Sequence, residues 1–216
     1  LKDTLIIFVS LLIVLGAGYF IIRELNAPTW SYADSGDPIS IISDPVQTAP
    51  PDTLIPLLVM NGGRYTLTPQ AAYSISGQIV SRQRYLRGFM SKLSPWDYAI
   101  AWGDTGKYLH QVEFRQMVRF CLFKPRRGKN VDFAYVRTHI SNNHLIPANA
   151  NIRKALSKAH RGDNVQIRGM LVNVIASDKN GRTSTWNTSL SRADGGNGAC
   201  EIVYITGLRI NNQIYE

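Results

Sequence analysis

The rhythm of apolar positions divides this chain into three stretches. From Thr4 to Ile22 there is no rhythm, because TLIIFVSLLIVLGAGYFII is apolar throughout and carries no charge. At about 1.5 Å per helical residue, roughly 19 such residues cover the ~30 Å hydrocarbon core of a bilayer, which predicts a transmembrane helix. A secretory signal would have a shorter apolar region, about 7–15 residues, and a small-residue cleavage site. Here Ala27 is followed by Pro28, and the acid expected of a pilin-type helix is replaced by Leu5. Lys2 and Asp3 before the run offset Arg23 and Glu24 after it, so net flanking charge does not orient the helix.

Beyond residue 72 the period becomes two. Tyr73 to Tyr85, Tyr98 to Trp102, Met117 to Phe123, Phe133 to Ile140, Val165 to Ala176 and Cys200 to Ile210 read as strands. Ala150 to His160 is different, spacing Ile152, Leu156 and Ala159 on one helical face with Asn149 as N-cap and Gly162 as the C′ residue. Between anchor and strands, Ala27 to Pro56 has no sustained period but holds Pro28, Pro38, Pro45, Pro50, Pro51 and Pro56. Proline fixes φ and removes a donor, so this segment is expected to be extended, either a stalk or a strap laid over a partner. Ile39 to Ile42 offers a short edge strand, and Trp30 and Tyr32 suit the headgroup layer. The expected organisation is an anchor over 1–26, a Pro-rich stalk over 27–56 and a β domain over 57–216.

Several strands, one helix and then two long strands resemble the order of an OB-type Greek-key barrel, whose helix lies between the third and fourth strands. Gly162-Asp163 supplies a turn and Gly169 a mid-strand bend. The resemblance covers 73–210 and leaves 86–96, 103–115 and 124–132 as insertions. It implies a mainly β fold: a single transmembrane helix followed by an OB-like Greek-key β-barrel with one inserted helix. It implies no particular function, because such a fold hosts many tasks.

Charge sharpens the division. Residues 1–56 hold 2 basic and 6 acidic side chains, net −4; the other 22 basic and 9 acidic residues make 57–216 net +13. Cys121 and Cys200 are the two cysteines, both in β-like runs, and an even pair far apart fits one disulfide in an oxidising compartment, with two buried thiols acting as small hydrophobes as the alternative. That pairing would place the domain outside the cytoplasm.

Candidate chemistry falls into four groups. Ser141 to Asn149 reads as a polar turn entering the helix, in which Asn142, Asn143 and His144 can face a ligand. His139 and His144, with His110 and His160 elsewhere, fit no zinc-site spacing, so no metal is expected. Asp194 and Glu201, with Arg168 and Arg192, are the carboxylates and arginines a nuclease would use, although no Gly-x-Ser-x-Gly elbow accompanies Ser189 or Ser191. Arg82, Arg84 and Arg87 around Tyr85, and Arg126 and Arg127 in a run with Arg115, Arg119, Lys124 and Lys129, form a basic set. Arg82 and Arg84 share one face of a strand, which serves for phosphates, anionic headgroups or an acidic partner. In SPWDYAIAWGD, Tyr98, Ile100 and Trp102 alternate with Ala99 and Ala101, small residues that fit either another subunit or an insertion of the same chain.

No constellation requires catalysis, and no cofactor is implied. The expectation is a non-catalytic accessory or scaffold subunit of the inner (cytoplasmic) membrane, single-pass, with a periplasmic domain docked onto a larger membrane-protein complex. Its partners are the lipid bilayer and other membrane subunits. Nucleic-acid binding, disfavoured outside the cytoplasm, and a membrane-tethered hydrolase or nuclease are the alternatives.

Overall fold

The computed structural model describes residues 2–33, 38–60, 62–191 and 199–216. It opens on helix α1, Lys2–Leu25, in which Ile7–Leu25 is long and apolar enough to cross a membrane. Leu11, Leu15 and Phe20 are all exposed. A helix apolar all round is stable only where something apolar surrounds it, which is the pattern of a membrane span. The Asn26 side-chain amide caps the last turn by donating to Ile22 O at 2.8 Å.

The remainder is mainly β. The strands are β1 (Ser31–Tyr32), β2 (Val46–Thr48), β3 (Leu58–Met60), β4 (Gly63–Arg84), β5 (Trp96–Ala101), β6 (Val112–Met117), β7 (Phe120–Pro125), β8 (Ile140–Pro147), β9 (Asn164–Ser177), β10 (Thr183–Trp186), β11 (Glu201–Ile210) and β12 (Gln213–Tyr215). Two short helices intervene, α2 (Phe133–Thr138) and α3 (Ala150–Ala155). The main sheet runs β1-β12-β11-β8-β5-β4-β9-β10, and β11 also pairs with β9. The pairings of β4, β5, β8, β11 and β9 therefore return on themselves. All of them are antiparallel except β8 with β11, which is parallel.

Strand β4 makes this cycle possible. Within the cycle its 22 residues pair with β9 along most of their length and with β5 near their end, with register shifts at Pro69/Ala71 and Ile79/Ser81. Such bulges bend a strand and increase its twist. Glycine is required where strands crowd: a Cβ on Gly77 would lie 2.5 Å from Ala101 O, and one on Gly169 would collide with Tyr204 O.

Ile75, Ile79, Tyr98, Ile100, Leu145, Ile167 and Val203 form the enclosed core, and α3 closes it with Ile152, Ala155, Leu156 and Ala159. The expected N-cap holds, since Asn149 Oδ1 accepts from Ile152 N–H at 2.9 Å. The regular helix ends at Ala155, earlier than expected, and Gly162 instead takes φ 97° in the turn into β9. A third cluster seats Val112, Phe114 and Val136 on Ala99 and Ala101, so the small residues of β5 accommodate an insertion of the same chain.

Three expected elements differ. Phe133 to Ile140 is not one strand: Asp132 caps α2 by accepting from Tyr135 N–H at 3.0 Å, and β8 starts only at Ile140. Met117 to Phe123 is broken at Val118-Arg119, the two-residue turn of the β6–β7 hairpin. Ser141 to Pro147 is not a turn but buried strand β8, hydrogen-bonded on both edges to β5 and β11.

The proline-rich segment lies along its own domain. Thr29 exchanges two hydrogen bonds with the Asn151 side chain, at 2.7 and 2.9 Å, and β1 pairs with β12. Ile39 is buried, Ile41 O accepts from Gly103 N–H at 2.7 Å, and Asp44 Oδ1 accepts from Trp102 Nε1–H at 2.8 Å. β2 and β3 then pair with β4. The segment is a strap whose partner is the domain itself.

Candidate functional site

Asp97 is the residue around which a site is built. It lies in a strand whose every residue is buried, and its side chain is 0% exposed. A buried carboxylate needs a cation or several donors to offset lost hydration. The cation is Arg119, whose Nη1 lies 2.7 Å from Asp97 Oδ1. Opposite Asp97 across the β5–β8 pair stands His144, with Nδ1 3.0 Å from Asp97 Oδ2 but without the alignment of a hydrogen bond. The contact is therefore close and electrostatic, and the ring is held by its surroundings as much as by the carboxylate.

Arg119 reaches inward from the tip of the β6–β7 hairpin. Val118 and Arg119 have φ 47° and 68°, the left-handed pair that a two-residue hairpin turn needs and that Asn-Gly normally supplies. For a β-branched residue this is costly, of order 1–3 kcal/mol. The offsetting contacts are numerous. Arg119 Nη2 donates to Ser94 O at 2.9 Å, its guanidinium lies 4.0 Å over the Tyr85 ring, and its N–H donates to the Tyr85 hydroxyl at 3.2 Å. Its carbonyl accepts from Asn142 Nδ2 at 2.8 Å. Tyr85 is pushed up to about 12, first by burial and then by the charge of Asp97.

A cavity of about 510 Å³ opens beside this cluster, lined by Arg119, His144, Thr185, Trp186, Asn187 and Cys200 among others. Trp186 lies 4.6 Å from the His144 ring and 5.3 Å from the Arg119 guanidinium. The wall thus offers an indole face, an imidazole edge, an amide and a thiol, suited to holding a polar group against an aromatic surface.

Compared with family models, curated proteins and solved structures, the chain matches none. Its function must be argued from its own geometry.

Of the residues singled out in the sequence, His144 enters the cavity wall, Asn142 braces the hairpin tip, and Asn143 turns to the opposite face, donating to Ser141 O at 3.1 Å. The expected turn is replaced by buried strand positions, in which the Asn142 and Asn143 amides donate to Arg119 O and Tyr98 O while Asn143 Oδ1 and His144 Nδ1 have no hydrogen-bond partner. The expected disulfide is corrected too: no bond joins Cys121 to Cys200 among the described residues. Cys200 Sγ accepts from Asn142 Nδ2 and approaches Arg119 O, whereas Cys121 Sγ turns to Leu122 O. Burial, followed by the charge of Cys200, pushes the Cys121 thiol up to about 12.

The basic set is split. Arg82 and Arg84 do share a face, lying 4.4 and 5.7 Å from the Trp96 ring, but Arg82 is half-buried and its Nη1 has no hydrogen-bond partner. Arg87, Arg126 and Arg127 are exposed in connections after β4 and β7. Arg119, counted with the surface cations, is instead largely buried.

Glu201 is buried and accepts from the Ser141 hydroxyl. Arg168 pairs with Gly207 on β11, six residues beyond Glu201 or about 20 Å along a strand, and contacts Glu216 at 3.5 Å. Asp194 and Arg192 lie outside the described residues. Asp97 itself was missed, although the sequence carried a signal: a carboxylate between Trp96 and Tyr98, in an otherwise apolar strand, requires a partner.

Proposed function

We propose that this chain is a non-catalytic, single-pass accessory subunit of the inner (cytoplasmic) membrane whose OB-like barrel lies outside the cytoplasm and docks onto a larger membrane-protein complex. The barrel reading is supported by the cyclic pairing of β4, β5, β8, β11 and β9, with one parallel pair and with α3 between the third and fourth of those strands in chain order.

One observation carries the docking reading. The β6–β7 hairpin stands apart from the main sheet and presents Met117, Val118 and Leu122, the middle one 79% exposed, on a tip locked by a buried ion pair. Arg115, Lys124, Arg126 and Arg127 are exposed along the same hairpin and its exit. A pre-organised apolar tip with a cationic border fits a partner protein presenting an apolar patch bordered by acids.

The test is a photo-crosslinking side chain at Val118 in native membranes, with the same probe at Leu54 on the strap as reference. The reading expects one membrane protein joined through Val118 and not through Leu54. Adducts to lipid alone, or nuclease-sensitive adducts, would sink it, the latter in favour of nucleic-acid binding.

A further inference from the structure

The junction between anchor and domain forms a second cleft, of about 290 Å³. Tyr19, Ile22 and Arg23 of α1 make one wall; Lys154, Ser157 and Lys158, from α3 and the turn after it, make the other. Among the described residues none of the three cations has an ion-pair partner, and no carboxylate lines the cleft. The cleft is held in shape, because Pro28 is buried and Thr29 is bonded twice to the Asn151 side chain at the head of α3.

Position gives these charges their meaning. Arg23 lies in the last turn of a helix whose preceding residues suit the hydrocarbon core, so Lys154 and Lys158 stand at the depth of lipid headgroups. Three like charges drawn together repel one another, and an anion among them relieves that repulsion. On the anchor side, Tyr19 and Ile22 continue the cleft as an apolar wall toward the acyl region. We infer that this cleft is a binding site for one anionic phospholipid, its headgroup phosphate held by Arg23, Lys154 and Lys158 and its acyl chains laid along α1. The inference requires the membrane anchor but not the docking partner, and would survive failure of the latter.

The experiment uses the full chain in nanodiscs containing equal fractions of phosphatidylglycerol and phosphatidylcholine, with retained lipid read by native mass spectrometry. Wild type is expected to retain phosphatidylglycerol preferentially. Lys154→Gln with Lys158→Gln should reduce that retention about thirtyfold, from about 1 kcal/mol per cation near a membrane surface. Arg126→Gln with Arg127→Gln removes the same charge elsewhere and should leave retention unchanged. Arg23→Gln, outside the folded domain, provides a further variant should the lysine pair fail to fold, with an expected loss of about fivefold. Equal retention of both lipids, equal loss in the Arg126/Arg127 variant, or displacement of the lipid by free glycerol phosphate at matching affinity would each overturn the proposal. The last of these would make it a site for soluble phosphate.

Discussion

The strap and the β6–β7 hairpin are both additions to the strand cycle, and they are attached by opposite means. The strap is secured at several described points: two bonds from Asn151 to Thr29, the β1–β12 pair, Ile41 to Gly103, Asp44 to Trp102, and β2 on β4. Most of these are ordinary backbone bonds, each worth about 0.5–1.5 kcal/mol net. The hairpin tip is secured at one point, where the Arg119 guanidinium is driven into a buried carboxylate under a left-handed turn and its backbone meets Tyr85 and Asn142. Distributed attachment tolerates the loss of any one bond. A single buried charge pair tolerates no loss of either partner, because what remains is an uncompensated ion.

Asp97→Ala should therefore have the largest effect, about 3–5 kcal/mol of lost stability by urea denaturation, together with new protease cleavage in the hairpin at residues 112–125. A loss below about 1 kcal/mol would show that Arg119 finds another acceptor and that the contrast with the strap is false.

Alkaline pH should act on the hairpin end of the domain next. Tyr85 and Cys121 are each held up to about 12, by burial before any other cause. The unfolded chain releases these protons near ~8.5 for the thiol and ~10 for the phenol. Stability from both groups is thus fully present below those values and is lost as pH rises through them toward about 12. Tyr85→Phe should flatten the decline above pH ~10, measured as urea midpoint against pH. An unchanged slope would remove Tyr85 from the cluster.

Asn151→Ala, which cuts both bonds to Thr29 and one to Glu216 O, should cost about 2 kcal/mol and leave the hairpin as resistant to protease as before. Val118→Gly should do least and in the opposite direction. Relief of a left-handed valine, less the entropy glycine loses on folding, should stabilise the domain by about 0.5–1 kcal/mol in thermal or urea melts. Destabilisation would mean that the turn is not strained.

Where a residue answers to its chain neighbours, its structure was legible beforehand. Asn149 caps α3 through a bond three residues away, and the alternation of Tyr73, Ile75 and Ile79 describes β4 because one face of a strand meets one core. Where a residue answers to something distant, the reading failed. Ser141-Asn142-Asn143-His144 looks like a turn because no local rule shows that Asp97, Tyr98, Arg119 and Glu201 wait to satisfy it in the interior. Val118-Arg119 contains neither glycine nor asparagine, so turn chemistry was silent there. The strap was recognisably extended, but its pairing with residues 72–74 and 213–214 is a long-range fact.

The parallel pairing of β8 with β11 has a consequence in time. Asn143 cannot meet Glu201 until the intervening helix and two strands have been made, and β9 and β11 join only at the end. Contacts between such distant parts of a chain form slowly, and unpaired strand edges invite association while they wait. Helix α1, in contrast, closes its hydrogen bonds within 24 consecutive residues and waits for no distant strand. The chain therefore passes through a stage with its first helix formed and its sheet unclosed, and assembly errors should arise in that interval.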